Sequence, residues 1–293
     1  MSTIPQEVFK QIRRIQIETN RLASDIMVGL YRSAFKGQGM EFDEVRAYQR
    51  GDDVRAIDWN VTARMNHPFI KTYHEERELT VMLVVDVSAS SRCGTGERLK
   101  SEMIAEIGAV LAFTAIENSD KVGLILFSDS IEMYIPPRKG TRHVLRVIRE
   151  LLLFRPHGRG TSIEKAVRFL GSVQKRSCVA FLISDFLCDV PKSVIATAAK
   201  HDDLIAISVN DPIEWTLPDL GLLEVRDAET GELRVIDTSD SDFVRRYADH
   251  AIERLAQNKE RFLSVGAGYI EIDSHTSYTE PLRKFFKMRR IRH

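Results

Sequence analysis

Residues 80–90 read Thr-Val-Met-Leu-Val-Val-Asp-Val-Ser-Ala-Ser, an apolar run that stops abruptly at a carboxylate and two hydroxyls. With no polar alternation, such a strand must be covered on both faces, which predicts a central strand of a parallel sheet enclosed by helices. Open sheets of that kind place their ligands beyond the C-terminal ends of the strands. Asp86, Ser88 and Ser90 occupy alternate positions, so in an extended chain their oxygens point the same way. Convergent hard oxygens suit a hard cation such as Mg²⁺. The competing reading is ordinary turn chemistry after a strand.

The following hundred residues repeat the same design. Val122–Phe127, Cys178–Ser184 and Leu204–Val209 are further continuous apolar strands, and helical patterns cover Arg98–Asn118, Thr141–Phe154, Ser162–Gln174 and Pro191–His201. Strands alternating with helices predict an α/β fold with a doubly wound, mostly parallel sheet and right-handed crossovers. Ile131–Ile135 reads as an antiparallel edge strand closed by Pro136-Pro137. The pattern then breaks. Leu222–Arg226 and Glu232–Ile236 flank a turn with Gly231 and read as a hairpin, and an amphipathic helix capped by Ser239 or Asp240 runs to Val265. Together they form an insertion over about 213–266, before Tyr269–Ile272 completes the sheet.

Two later segments add oxygen donors to the rim that holds Asp86. Gly158-Arg159-Gly160-Thr161-Ser162 opens a helix, and the strand ending at Ser184 is followed by Asp185. If their strands are neighbours of the first, Thr161 and Asp185 arrive at the same edge. The order Asp86-x-Ser88-x-Ser90, Thr161, Asp185 resembles the metal-ion-dependent adhesion site of von Willebrand factor A domains. The resemblance implies that Asp86, Ser88, Ser90, Thr161 and Asp185 hold a divalent ion, Mg²⁺ with Mn²⁺ or Ca²⁺ as alternatives. It also implies that an acidic side chain of a protein partner completes the shell. Gly-Arg-Gly before Thr161 departs from the Gly-Gly-Thr common in those domains.

From Gly37 to Trp59 the chain is an irregular β or turn-rich segment in which Phe42, Val45, Tyr48, Val54, Ile57 and Trp59 are separated by charges. The pattern G-x-G-x-E-F-x-x-x-R-x-Y-x-x-G-D-x-x-R-x-I-D-W is similar to the signature of a bacterial von Willebrand A-like family, domain of unknown function family 58. Its members are often encoded beside MoxR-type AAA+ ATPases, and many carry membrane-spanning segments. Arg46, Asp52, Arg55 and Asp58 are expected to pin this segment through local ion pairs; the resemblance offers the alternative that they form a docking surface for the ATPase. A first helix is expected over residues 3–28, in which Val8, Ile12, Ile15, Leu22 and Ile26 follow heptad spacing, either packed on the body or in a coiled coil. The expected organisation is residues 1–75 for that helix and the signature segment, and 76–293 for the sheet domain.

Composition narrows the function. In 293 residues, 42 basic side chains balance 42 acidic ones, which argues against general nucleic-acid or membrane binding; with no spanning segment visible, any membrane role is expected to be peripheral. The tail from Arg283 carries six basic residues and no acid; it reads as a solvated end or as a guide toward an acidic partner or lipid headgroups. Three cysteines, Cys93, Cys178 and Cys188, have neither the count nor the spacing of a disulfide framework or zinc site. With no basic-then-apolar leader and no apolar run near the ~20 residues needed to span a bilayer, the expected location is the cytoplasm. No Gly-rich phosphate loop and no G-x-S-x-G elbow is present. The expected function is therefore a binding module and not an enzyme: an adaptor that captures a carboxylate of a MoxR-type AAA+ ATPase or its client through the ion. The alternatives are a metal-dependent phosphoesterase-like hydrolase and a scaffold with a vestigial site.

Overall fold

The computed structural model describes residues 25–35, 39–65, 67–76, 78–96 and 98–292. In chain order its elements are α1 (Asp25–Ala34), β1 (Gly39–Ala47), α2 (Trp59–Met65), β2 (Phe69–Glu76), β3 (Thr80–Asp86), α3 (Lys100–Glu117), β4 (Lys121–Phe127) and β5 (Ile131–Arg138). These are followed by α4 (Thr141–Leu153), α5 (Ile163–Val173), β6 (Val179–Ser184), α6 (Lys192–His201) and β7 (Asp203–Asn210). The remainder comprises β8 (Leu222–Arg226), β9 (Leu233–Asp237), α7 (Ser241–Leu263), β10 (Gly268–Asp273) and α8 (Thr279–Arg292).

Six strands form one sheet in the order β10-β7-β6-β3-β4-β5, parallel throughout except for β5. The apolar run of β3 is its interior: Val81 to Val85 are each 1% exposed or less. Enclosing an aliphatic side chain in this way contributes roughly 1.5–3 kcal/mol relative to leaving it in water, which fixes β3 at the centre. Met82 and Val84 face a core formed with Ile163, Val167 and Leu170 of α5 and Val194 and Ile195 of α6. By strand alternation Val81, Leu83 and Val85 take the opposite face, where α3 packs on β3 and β4. The doubly wound α/β sheet expected from the sequence is therefore present. Its chain order reverses between β3 and β6: from β3 the chain moves outward to β4 and β5, then returns to the other side of β3. That is a topological switch point, the place where such sheets open a crevice.

Several expectations need correction. The first helix expected over 3–28 lies outside the described residues as far as 24. Its described continuation, α1, docks on α8: Tyr31 meets Phe286 edge-on at 6.0 Å, and Arg289 donates a hydrogen bond to the Ala34 carbonyl. Two compact units result, Phe35–Leu79 and Met1–Ala34 with Thr80–His293, so α1 goes with the sheet and not with the signature segment. The basic tail is not a free end, because Leu282 and Phe286 of α8 are fully buried; most of its charges lie on the outer side of a docked helix, while Arg289 turns in to Ala34 and Asp203. Strand β5 runs through Pro136 and Pro137 instead of ending before them, which an edge position tolerates because one side of its ladder is unpaired. No helix among the described residues is long and apolar enough to cross a membrane.

In the Phe35–Leu79 unit, β1 pairs antiparallel with β2, with a register shift between Phe42 and Glu44. Arg46 grips Asp52 with both guanidinium nitrogens at 2.8 and 2.9 Å, and Lys71 pairs with Asp58 at 3.0 Å. These pairs pin the turn as expected. Arg55 differs: its side chain is exposed and no ion pair joins it to another described residue, so the local pairing expected for it is not formed.

Candidate functional site

The switch point gathers most of the residues singled out in the sequence. The parallel register of β3 and β6, ending with Val85 opposite Ile183, sets Asp86 beside Ser184. Ser184 Oγ donates a 2.6 Å hydrogen bond to Asp86 Oδ2, while the Ser88 backbone N–H donates to Asp86 Oδ1 at 2.9 Å. Ser88 and Ser90 hydroxyls lie 3.1 Å apart. Strand alternation alone does not bring them together. Ala89 turns into the α region (φ −66°, ψ −33°) and starts a short 3₁₀ turn over Ser90–Arg92, which swings Ser90 back toward Ser88.

Asp185 follows β6 on the same rim, and its charge acts directly on Asp86. The next residue, Phe186, is fully buried with φ +52°, a left-handed conformation costly for a bulky side chain, of the order of 1–3 kcal/mol. It is held there by two hydrogen bonds: its N–H donates to Ser184 Oγ at 3.1 Å, and Asn258 Nδ2 donates to its carbonyl at 2.9 Å. Strain held in place beside converging side chains marks a built site.

Thr161 reaches the neighbourhood by a different route. Loop 157–162 is fastened by Ala89 N–H to the Arg159 carbonyl (3.0 Å) and Ser162 N–H to the Ser128 carbonyl (2.8 Å). Glu132 anchors its start, accepting from the backbone N–H of His157 and Gly158 and from Ser128 Oγ. Burial opposes the charge on Glu132, but these donors outweigh it and hold the carboxyl down at about 2. A Cβ at Gly158 would fall 2.3 Å from Ser128 Oγ and 2.6 Å from Asp129 Oδ1, so any larger residue there must displace them. The Thr161 hydroxyl itself is turned to Glu229, donating at 2.9 Å. Thus Asp86, Ser88 and Ser90 meet directly, Asp185 stands on the same rim with its oxygens bonded to Lys100 and the Leu187 N–H, and Thr161 stands on the adjoining loop with its hydroxyl engaged by the hairpin.

The electrostatics are those of a buried, net-negative cluster. Asp86 is 1% exposed, and burial, reinforced by the charge of Asp185, pushes its carboxyl up to about 7. The Cys188 thiol is likewise pushed up to about 12, by burial first and then by Asp86 and Asp185. Lys100 is the resident counter-charge. Its ammonium, 1% exposed, pairs with Asp185 Oδ2 at 2.8 Å and with Glu214. Burial favours neutral Lys100, yet the two carboxylates prevail and raise its pKa. One ammonium pairs with two carboxylates, Asp185 and Glu214, and Asp86 is a further buried acid beside them. The donors are hydroxyls and two carboxylates; among the described residues no group of three or more His, Cys, Asp or Glu is placed to hold a metal. A hard divalent cation fits this set better than a soft one.

Sequence reasoning missed Lys100, Ser184, Glu214 and Glu229. Lys100 had a readable signal: it shares a helical stripe with Met103, Ile104 and Ile107, all buried, a position a lysine occupies only when paired. Arg46, Asp52, Arg55 and Asp58 all lie in the Phe35–Leu79 unit.

A family model described as "Protein of unknown function DUF58" matches residues 44–257. The uncharacterized protein Rv1480 of Mycobacterium tuberculosis is 31% identical over 246 residues, spanning 82% of this chain and 77% of that protein. Among solved structures, an aerotolerance-related membrane protein from Bacteroides fragilis shares 16% identity over 72% of this chain and 99% of that one, with a TM-score of 0.47. The SpRpn10 VWA domain shares 13% over 70% of this chain and 93% of that one, with a TM-score of 0.38.

Proposed function

The chain belongs to the DUF58 family of proteins of unknown function, and from that premise we propose that it is a metal-dependent protein-interaction module. In this reading Asp86, Ser88, Ser90 and Asp185, with Thr161 from the facing loop, hold a divalent cation, Mg²⁺ first. The bound ion supplies a concentrated positive charge to which a partner's Glu or Asp can attach, an interaction far stronger in a partly dry crevice than at a surface lysine.

The observation that carries the reading is a buried acid, Asp86, whose charged form is held back by burial and by Asp185 at the switch point. Among the described residues Asp86 has hydrogen bonds but no cationic partner, and an isolated buried carboxylate is costly unless a cation joins it. Lys100 is already committed to Asp185 and Glu214. It neutralises one side of the cluster and leaves Asp86 with the serine hydroxyls as the part open to an ion. Ser184 and the Ser88 N–H orient the carboxylate, and the 3₁₀ turn after Ala89 presents Ser90 beside it.

The partner in this proposal is a MoxR-type AAA+ ATPase or its client, and the chain acts as an adaptor in the cytoplasm, not as an enzyme. The second contact surface is the Phe35–Leu79 unit, where Arg55 and Val54 are exposed and Trp59 is 69% exposed. Aromatic and arginine side chains standing in solvent are the types that dominate protein interfaces. The test is capture of a purified MoxR-type AAA+ ATPase by immobilised protein in Mg²⁺ and in chelator, repeated with Asp86→Ala. Capture that needs Mg²⁺ and is lost in Asp86→Ala supports the adaptor; capture indifferent to both overturns its metal dependence.

A further inference from the structure

Strand β10 is an open edge of the central sheet. It pairs with β7 along Gly268–Asp273 and, among the described residues, no other element bonds to the main chain of Gly268–Ile272. Alternate N–H and C=O groups on its outer side are therefore left for solvent, and such a row is a template for another strand. The opposite edge, β5, carries Pro136 and Pro137, which cannot donate to a further strand. No proline interrupts β10.

The β10 edge lies in a groove of about 980 Å³ walled by helices from both faces of the sheet. Tyr269 and Glu271 point to α7: Tyr269 packs on Phe262 with ring centroids 5.8 Å apart, and Glu271 pairs with Lys259 at 2.7 Å. By alternation Gly268, Ile270 and Ile272 face α8. There Gly268 lets the Phe285 ring lie against the strand, since a Cβ would fall 2.7 Å from it. The two walls differ in chemistry. Leu263 on α7 is 52% exposed. On α8, Lys284 and Lys287 are exposed and join no ion pair among the described residues, whereas Arg283 is held by Glu280 and Arg289 by Asp203. Five basic side chains and two acids line the groove, in a chain with no net charge, so positive charge is concentrated here.

We propose that β10 takes up an extended acidic segment of a partner protein as a seventh strand of the six-stranded sheet. The segment's main chain bonds to the outer side of β10. Its side chains alternate between the walls, apolar ones toward Leu263 and carboxylates toward Lys284 and Lys287. Charged pairs on an edge deter indiscriminate pairing; Lys259 and Glu271 neutralise each other on the α7 side and leave the α8 side positive, which selects for acid. None of the lining residues belongs to the Asp86 site, and this docking needs no metal ion.

The test uses the full chain in chelator and a fluorescein-labelled peptide of alternating Val and Glu, with affinity read by anisotropy and location by hydrogen exchange. Wild type binds the peptide, and the amides of Gly268–Ile272 gain protection. Lys284→Glu combined with Lys287→Glu weakens binding at least about tenfold, with unchanged exchange in β3 showing that the variant is folded. The same reversals at exposed Lys192 and Lys200 of α6 leave affinity unchanged. Two further peptides, N-methylated at every Val or at every Glu, keep all their carboxylates but lose the N–H donors of one edge; at least one of them fails to bind. Failure of the parent peptide to bind, equal binding by the α8 variant, or undiminished binding of both methylated peptides overturns the proposal. Protection of β10 that rises with protein concentration in the absence of peptide assigns the edge to a second copy of the chain and overturns it as well.

Discussion

Ser184 Oγ at the end of β6 donates to Asp86 Oδ2 at the end of β3, and the same oxygen accepts from the Phe186 N–H. One hydroxyl thereby joins the two strands of the switch point to the left-handed residue beyond them. Ser184→Ala removes both bonds at a fully buried position and leaves a carboxylate oxygen and an N–H without a partner. The expected loss is ~2–4 kcal/mol, from ~1–2 kcal/mol for each unsatisfied group, read from urea unfolding in chelator. A change below ~0.5 kcal/mol, the range of an ordinary surface substitution, contradicts this account of the strand ends.

Lys100 holds two carboxylates at once, buried Asp185 and partly exposed Glu214. Lys100→Met deletes the charge but keeps most of the volume, so Asp185 and Glu214 face each other uncompensated, and a loss of ~3–5 kcal/mol is expected. Adding Glu214→Gln removes one of the stranded charges and recovers part of that loss. Strict additivity of the two substitutions in denaturant unfolding would show that the three groups are not coupled.

The sheet was legible because its strands are uninterrupted apolar runs, and a run like Val81–Val85 has no stable home except between two helical layers. The ends of β3 and β6 were legible for the same reason: the pattern stops where Asp86 and Asp185 stand. What remained hidden depends on contacts distant in sequence or on a single backbone torsion. Nothing near Glu229 marks it as the partner of Thr161, 68 residues earlier. The approach of Ser90 to Ser88 follows from the α conformation of Ala89, and alternation gave a different reason for it. In the tail, the run of charges masked Leu282 and Phe286, which stand four residues apart and are the face that docks α8.

Asp211 illustrates how acid acts on the same rim. It accepts from Thr95 N–H (2.9 Å), Thr95 Oγ1 (2.5 Å), Ile213 N–H (3.1 Å) and Ser274 Oγ (2.8 Å). Burial raises its pKa, the donors lower it further, and the net value is about 2 against an ordinary 3.8. A carboxyl depressed on folding stabilises the protein above its unfolded pKa and loses that contribution as pH falls through the folded one. The urea midpoint of wild type is therefore expected to drop between about pH 4 and pH 2. Asp211→Asn is less stable at pH 7, because its N–H₂ cannot accept, and has a flatter profile over that acid window; an unchanged slope refutes the assignment.

Arg55 and Trp59 are exposed in the Phe35–Leu79 unit. Arg55→Glu and Trp59→Ala are expected to shift stability by less than ~0.5 kcal/mol while abolishing capture of the AAA+ ATPase. They leave Mg²⁺ titration unchanged. Full capture by both variants removes this unit from the interface.

The central claim is that Asp86, with Ser88, Ser90 and Asp185, forms a divalent-cation site. Calorimetric titration of the full chain with Mg²⁺, beside Asp86→Ala, tests it most directly. A single-site isotherm in wild type that vanishes in a folded Asp86→Ala is the predicted result; no binding to wild type, or identical binding to both proteins, contradicts the claim.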